Sequence, residues 1–585
     1  MGRKSKKRQM KDADGLTKSE RKEIQALCSQ LLDLCKTPTQ VSTQKQWEEY
    51  KQIRGVVEMI RTKQQGLHKL FLDENRDDNL ENLLTWVKDN GAMCNNIQIA
   101  NYDTEGYGIQ ATTEIKEDDV FLSIPRKIMV TVETAKQSEI GKLAETDPIL
   151  KSMPNVLLAI HILNEKYKED SFWKPYFDCL PHSYSVPLYF NEEELNLLQG
   201  SQAYSESMKQ YKNIARQYAY FNKLFHTSPD VADIPLKNTF TYDGYRWAVS
   251  TVMTRQNQIP STDRKFQCTA LIPVWDMCNH TNGKIRTGFD LAQNCSSSLA
   301  LKNYQPNEQV LIYYGKRTNM ELLVHNGFVF PGNEDDGVAI QLGMSKNDKL
   351  YQLKMELLAM YSLRSNDTYT VLPGDNPLSK QLLVFLRIFC MTEDELNVRF
   401  KYERKQEMLE FLLKDKLPVS KTNEIKLWIF LETRLILLLR LYKTTVEEDK
   451  ALLEQSDISE FSRQCIQLRL GEKRILQNAI NHSKKSKEIA ENWDESTLPD
   501  PLGHPKEDLS RIADDKHASH LLQLPEIVAN GDPDLQNLSL RGNIVAQSSE
   551  DTKKEEASNV VEPPTAGTNL EASSVTSEEV LENGH

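Results

Sequence analysis

The chain changes texture twice, and this constrains its fold more than any other property. Short apolar runs bounded by turn residues occupy Ile97 to Ala100, Gly108 to Ala111 and Val120 to Ile124, and then stop. They return at Ala270 to Val274, Ser298 to Leu301 and Gln309 to Tyr313. Runs of this length and setting read as strands. Between the two groups, from Thr131 to about Thr254, apolar residues recur at helical spacing. Thr131 to Thr134 starts one helix, and Pro154 to Lys166, Glu192 to Gln199, Tyr204 to Phe225 and Tyr242 to Thr254 supply others. Strands on both sides of a long helical stretch describe one α+β core split by an insertion.

The flanks are helical as well. Trp47, Tyr50, Ile53, Val57 and Ile60 form one stripe ahead of the strands, and Leu80, Leu83, Leu84 and Val87 form another. Behind the strands a helical block runs from about Lys349 to Ser483. Its clearest stripe is Trp428, Leu431, Leu435, Leu438 and Tyr442, with Asn423 expected as the cap. At 585 residues the chain exceeds one compact domain. The expected division is a basic disordered tail at 1–20, a helical segment at 21–92, a split core at 93–315 with its insert at about 131–254, an all-α domain at 335–485 and a disordered acidic tail at 486–585.

Charge separates the tail from the rest. Glu491 to His585 carries 20 acidic and 6 basic residues, a balance of −14 against −12 for the whole chain. The remainder holds 66 basic and 64 acidic residues, close to neutral and without a basic stripe, so direct nucleic-acid binding is not expected. The tail is rich in Ser, Glu, Asn and Pro, and cannot bury enough apolar surface to offset its ordering entropy. No apolar run approaches the ~18 residues of a membrane span. The N-terminus is basic with no apolar stretch behind it, so no signal peptide is expected, and Lys6 breaks the myristoylation pattern that Gly2 would open. The nine cysteines include no CxxC pair, which points to free thiols, a reducing compartment and no structural zinc.

Three segments carry chemistry. In Glu105-Gly106-Tyr107-Gly108 two glycines flank an aromatic, allowing positive φ and close backbone approach to a ligand; a plain hairpin turn explains the same residues. The run Trp275 to Asn282 (Trp-Asp-Met-Cys-Asn-His-Thr-Asn) follows an apolar stretch. Asp276, Cys278 and His280 alternate in the manner of metal ligands, but no complementary Cys or His pair lies nearby. In the third, the turn Pro306 to Gln309 leads into an apolar run that ends at Tyr313-Tyr314-Gly315.

A GxG turn, an Asn-His pair about 170 residues later and a Tyr-Gly end some 35 residues beyond resemble, in order and spacing, the SET-domain methyltransferases. The resemblance implies S-adenosyl-L-methionine as cofactor, no metal, and a pseudoknot in which the Asn-His segment threads beneath the loop ending at Tyr-Gly. Zinc-binding cysteine clusters are absent. The long insert and the helical domain, including Leu468 to Leu476, are similar to the subfamily of the Rubisco large-subunit lysine methyltransferase. Within it, Arg216 to Tyr220, Tyr245 to Val249, Thr254 to Pro260 and Leu271 to Gly283 resemble the histidine N-methyltransferases that act on actin. That likeness runs from about residue 20 to 485.

It places the cofactor on Arg76, Glu105, Gly106, Tyr107, Arg255, Asp276, Met277, Cys278, Asn279, His280 and Asn326, with Arg76 and Arg255 as charge-assisted donors to a carboxylate. Asn326 stands where the family carries Ser. The acceptor site falls on Asn257, Trp275, Asp276 and Tyr313, with Asn257 and Tyr314 as the catalytic pair. A neutral imidazole already presents a lone pair near pH 7, whereas an ammonium must first lose a proton. An amide at position 257 suits an imidazole, the Asp276 carbonyl would take its other nitrogen, Tyr313 would stack on the ring, Trp275 would shape the pocket and the Tyr314 hydroxyl would lie near the transferring methyl. The implied reaction is tele-nitrogen methylation of an actin histidine in the cytoplasm, with a nuclear fraction open. Two other readings use the same fold: a lysine enzyme acting on a histone or another protein, and an adaptor whose core only binds a partner.

Overall fold

The computed structural model describes residues 16–38, 42–67, 76–231, 234–396 and 419–494. Residues 1–15 and 495–585, which hold nearly all of the two expected tails, lie outside the described residues. Helix already begins inside the 1–20 segment: Thr17 and Glu20 close a capping box that starts α1 (Lys18–Leu34). Helices α2 (Thr43–Gln64) and α3 (Leu80–Asp89) follow. The stripes read from the sequence face inward, with Tyr50, Ile53, Val57, Ile60, Leu83 and Val87 buried.

Nine strands then form three small antiparallel sheets. In the first, β1 (Ile97–Tyr102) pairs with β2 (Gly106–Ala111), and β2 with β9 (Gln309–Val310). In the second, β3 (Val120–Pro125) pairs with β8 (Cys295–Leu299), and β8 with β7 (Thr287–Asp290). In the third, β4 (Val130–Thr131) and β5 (Asn257–Pro260) flank β6 (Gln267–Leu271). Every sheet therefore joins strands from both sides of the insert, which is why so long an insertion leaves one domain intact.

All six expected strand ranges shift at one end or both, with the Ser298 to Leu301 run becoming Cys295–Leu299, and β4, β5 and β7 have no counterpart among the expected runs; two of the differences follow from how the chain turns. The run expected at Ala270 to Val274 starts at Gln267 and ends at Leu271, because the chain turns sharply at Val274, whose φ is +68° and ψ −43°. The run expected from Gln309 to Tyr313 leaves its sheet after Val310, and Ile312 pairs instead with His280 in parallel.

The insert comprises α4 (Val132–Gln137), α5 (Pro154–Lys166), the one-turn α6 (Lys174–Phe177), a short helix Glu192–Asn196, α7 (Gln202–Thr227) and α8 (Tyr242–Arg255). Thr131 caps α4 and Thr241 caps α8. Ten successive residues of α5, Val156 to Glu165, are buried, so this helix runs through the interior and is apolar nearly all round. The insert, the N-terminal helices and the strands share one apolar core.

The domain that follows is mostly helical, built from α9 (Tyr351–Met360), α10 (Lys380–Cys390), α11 (Lys421–Leu439), α12 (Val446–Leu453) and α13 (Glu460–Glu491). The all-α expectation for 335–485 is corrected by an antiparallel pair of strands, β10 (Val338–Gly343) and β11 (Asn366–Val371), with α9 between them in the chain. Ser420, not Asn423, caps α11; Asn423 is buried and donates to the Arg387 carbonyl at 3.0 Å. This domain has its own core, while Cys465 and Leu468 of α13 belong to the first.

Candidate active site

The centre of the site is a parallel pairing of two segments distant in sequence. Ile312 N–H donates to the Asn279 carbonyl at 2.9 Å, and Thr281 N–H donates to the Ile312 carbonyl at 3.0 Å. This is the pairing that the expected knot requires. It lays the Asn-His segment against the Tyr-Gly end. Tyr314 N–H donates to His280 Nδ1 at 3.2 Å, and the Tyr314 hydroxyl donates to the Cys278 carbonyl at 2.7 Å. Because Nδ1 accepts, His280 is a neutral ring protonated at Nε2. Burial, with Arg317 nearby, lowers its pKa to about 4. Burial pushes the Tyr314 phenol upward, so it stays protonated. Gly315 leaves the pair at φ +96°, a conformation natural to glycine.

The preceding turn stores strain. Val274 is fully buried, and a β-branched residue at positive φ costs on the order of 1–3 kcal/mol. Its bend carries the chain from β6 into the turn Trp275–Met277. The Asp276 side chain is wholly inaccessible, and burial raises its pKa. It is offset by Arg255, at the end of α8, whose NH1 lies 3.5 Å from Asp276 Oδ2 and donates to the Asp276 carbonyl at 2.8 Å. That carbonyl, expected to serve the acceptor imidazole, is thus half used, with one lone pair remaining.

The GxG segment is a hairpin turn, and it also meets the site. Gly106 has φ +72°, and Glu105 stands exposed beside it. Asn279 Nδ2 donates to the Tyr107 carbonyl at 3.5 Å. A Cβ on Gly108 would meet that Nδ2 at 2.9 Å, so here the glycine is required by close approach. Arg76 lies 4.5 Å over the Tyr107 ring and donates to the Cys179 carbonyl at 2.9 Å, rather than forming a surface ion pair. Burial and the neighbouring Arg255 lower its pKa to about 10.

Asn326 ends a π-helical turn, Leu322–Asn326, of a kind often found at functional sites. It donates to the Thr254 carbonyl at 3.4 Å and accepts from Arg317 at 3.2 Å, beside the end of α8. Met277 and Cys278 are buried. Tyr313 donates to Asp335 at 2.5 Å, and its ring stacks on His280 with centroids 5.9 Å apart. Asn257 opens β5, and its Oδ1 accepts from Gln258 N–H at 2.8 Å, which leaves the amide N–H groups to offer. Trp275 donates to Thr287 at 3.0 Å. The structure therefore brings Arg76, Tyr107, Arg255, Asp276, Cys278, Asn279, His280, Tyr313 and Tyr314 into one chain of contacts. Asn257 and Trp275 are held by β5, β6 and β7, and neither hydrogen-bonds to Tyr313 or Tyr314.

Sequence reasoning missed the groups that hold this chain in place. Tyr176 donates to Asp276 Oδ2 at 2.5 Å, and Tyr184 bonds Thr251 beside Arg255. Phe328 and Phe330 wall in the His280 ring with centroids 6.0 and 5.0 Å away. A tyrosine in a helical insert has no local signature separating such a role from core packing.

Charge and unsatisfied atoms give the site a chemical preference. Arg76 and Arg255 face a single buried carboxylate, that of Asp276. Arg255 Nε and Asp276 Oδ1 are buried without hydrogen-bond partners. One positive charge is left over, and buried polar atoms normally find partners, so the arrangement suits a small ligand bearing a carboxylate and a cationic or N–H group. No group of three or more His, Cys, Asp or Glu among the described residues could hold a metal ion, and no helix among them is long and apolar enough to cross a membrane.

Residues 106–315 match the SET domain family, and residues 345–476 match the Rubisco LSMT substrate-binding family. The chain is 45% identical over 533 residues to an actin-histidine N-methyltransferase of Gallus gallus, covering 91% of this chain and 89% of that one. It is 45% identical over 502 residues to the Homo sapiens actin-histidine N-methyltransferase, covering 86% and 84%. Among solved structures, Rubisco LSMT bound to AdoMet superposes with a TM-score of 0.58 at 22% identity, covering 74% of this chain and 99% of that one. The SET domain of LSMT bound to lysine and AdoHcy gives 0.59 at 21%, covering 75% and 98%. At such identity the structural likeness is one of fold, whereas the curated relatives match nearly end to end. The chain is a SET-domain methyltransferase and belongs to the actin-histidine N-methyltransferase family.

Proposed function

We propose that this protein transfers a methyl group from S-adenosyl-L-methionine to the tele nitrogen of a histidine in actin. The observation that carries the cofactor reading is the buried Arg255–Asp276 pair with an open Nε and an open Oδ1 beside a second guanidinium. When bound, S-adenosylmethionine supplies a methyl group activated by a sulfonium. Arg76 and Arg255 would hold its carboxylate. Glu105, Gly106, Tyr107, the run from Asp276 to His280 and Asn326 would line the remainder, with Gly108 keeping the Asn279 amide within reach. The actin reading is supported by the curated relatives, whose name states that substrate.

At the acceptor end the protein has orientation to supply rather than a strong base. Asn257 can hold the accepting ring nitrogen through an amide N–H before transfer and must release that lone pair for attack, while the free lone pair of the Asp276 carbonyl can accept the ring's N–H. A ring held by that carbonyl keeps its proton on one nitrogen and presents the lone pair of the other. The Tyr314 phenol, kept protonated by burial, can orient groups around the transferring carbon without accepting a proton. Tyr313, anchored by Asp335, supplies a flat face, and Trp275, pinned to Thr287, closes a side. Because neutral imidazole is the nucleophile, activity should rise with pH through about 6.5.

We place the protein in the cytoplasm, with a nuclear fraction open; nine free thiols support a reducing compartment. The test is mass spectrometry of actin incubated with enzyme and methyl-labelled cofactor. One histidine should gain the label; label on lysine alone would defeat the reading. Asn257→Phe should cut histidine methylation at least about tenfold, the worth of one lost hydrogen bond to the ring. Unchanged turnover would remove Asn257 from the site.

A further inference from the structure

One short stretch of the insert, from Tyr176 to Tyr184, touches all three charged groups at the proposed cofactor end. Tyr176, on α6, is fully buried, and its hydroxyl reaches Asp276 Oδ2 at 2.5 Å. The Cys179 carbonyl accepts from Arg76 Nε at 2.9 Å. The Pro181 carbonyl accepts from Trp247 Nε1 at 2.7 Å, tying the stretch to α8. Tyr184, also buried, bonds Thr251 Oγ1 at 2.8 Å on the same helix and faces Arg255. Nothing in the sequence motifs singles out these residues.

We propose that Tyr176 is a positioning residue for methyl transfer, holding the Asp276 carboxylate ionised and turned toward the insert so that Arg255 keeps part of its guanidinium free for the cofactor's carboxylate. The geometry supports a division of labour. Asp276 Oδ2 is shared between the phenol at 2.5 Å and Arg255 NH1 at 3.5 Å, so the tyrosine is the closer partner. Remove that donor, and the carboxylate can turn to Arg255 alone. The guanidinium is then drawn into a closer pair and offers less to a ligand. The groups facing Asp276 are Tyr176, Cys179 and Tyr184 from the insert, Arg255 from α8, Arg76 from the segment before α3, Cys278 from its own loop and Tyr314 from the strand end. Burial raises the Asp276 pKa, while Arg255 and Tyr176 counteract it. Without the phenol the acid should protonate at higher pH.

This inference rests on the cofactor reading above, and the experiment separates the two. Binding of S-adenosylmethionine to the full-length protein is measured by calorimetry from pH 5 to 8 with no actin present, so that the acceptor histidine does not contribute. Failure of the parent protein to bind would sink the cofactor reading itself. Given parental binding, Tyr176→Phe should weaken affinity about tenfold at pH 7, the scale of one hydrogen bond to a charged group. Its acid-side loss of affinity should also begin at higher pH than in the parent. Saturating cofactor should recover part of the turnover lost at low cofactor, since such a bond acts first through cofactor affinity. Tyr184→Phe, which leaves the Asp276 contact intact, should not move the acid limb. A Tyr176→Phe protein with parental affinity, or with weaker affinity and an unmoved limb, overturns the proposal. Should Tyr176→Phe fail to fold, Asp276→Asn decides: an acid limb persisting there shows that Asp276 does not set it.

Discussion

Two buried arginine–carboxylate pairs, one in the split core and one in the helical domain, were built to different standards. Arg387 donates to Glu424 through Nε at 2.7 Å, and both side chains are at most 3% exposed. The adjoining Asn423 amide closes the Arg387 carbonyl. Farther along the chain, Asp449 lies within 2.7 Å of both Arg469 and Lys473, and Lys473 also donates to the carbonyls of Thr444 and Thr445 at 2.8 Å. The Arg387–Glu424 pair is closed, while in the Asp449 cluster Asp449 Oδ2 and Arg469 Nη2 stand at ion-pair distance without a hydrogen bond. Asp276 is as deeply buried and the Arg255 side chain is 13% exposed; their direct contact is 3.5 Å, and each retains an atom without a partner. Desolvation makes an open pair costly, and the carboxylate of the proposed cofactor would supply the missing partner.

Breaking the open pair should have the largest effect. Arg255→Ala leaves the buried Asp276 carboxylate without its paired cation and with only the more distant Arg76 facing it, which costs up to about 3–5 kcal/mol of stability. It should also lower cofactor affinity by about 100-fold, as expected for losing a charged donor to a carboxylate. Calorimetric binding beside denaturant unfolding reads both, and affinity matching the parent would end the distinction drawn here. The closed pair offers the contrast. Glu424→Leu alone should cost about 3–5 kcal/mol, while Arg387→Met with Glu424→Leu should be near neutral or stabilising, with methylation of actin retained. A double variant that kept its stability but lost activity would show that the helical pair has a role beyond packing.

A third expectation concerns a buried carboxylate held by hydroxyls. Glu472 accepts from Ser201 and Tyr442 at 2.9 Å, joining the helical domain to the insert. Burial raises its pKa from 4.5 to about 7. The folded state therefore binds this proton more tightly than the unfolded one. The contribution is fully favourable below about pH 4.5 and is lost as pH rises toward 7, a loss of about 3 kcal/mol. Glu472→Gln should match the parent near pH 4.5 and be more stable at pH 8; an equal difference in melting temperature at both pH values would refute this. The smallest effect should come from Gly108→Ala. Its Cβ would press on the Asn279 amide, so cofactor affinity should fall about tenfold with stability changed by only about 1 kcal/mol. Loss of stability without loss of affinity would place Gly108 with the closed region instead.

Periodicity and caps made much of this legible in advance. Pro154 to Lys166 was read with its observed bounds, because proline at the first turn fixes one end and the apolar run the other. The joining of Asn279, His280 and Tyr314 followed from a resemblance in motif order. The helical domain misled where β11 interrupts it, since Asn366 to Val371 is too short to break a helical texture on both sides. Asn423 has the residue type of a cap, but the fold buries it against Arg387 and leaves the cap to Ser420.

What the sequence by itself determined was local: which stretches bury a face, where helices start, and that three motif segments belong to one methyltransferase family. Only the tertiary structure decided how Tyr176, Arg255 and Asp276 share charge, and that one carbonyl expected to be open is already half used. The physical reason is that burial and partner distance set the strength of such groups, and both depend on chain segments that approach from far along the sequence.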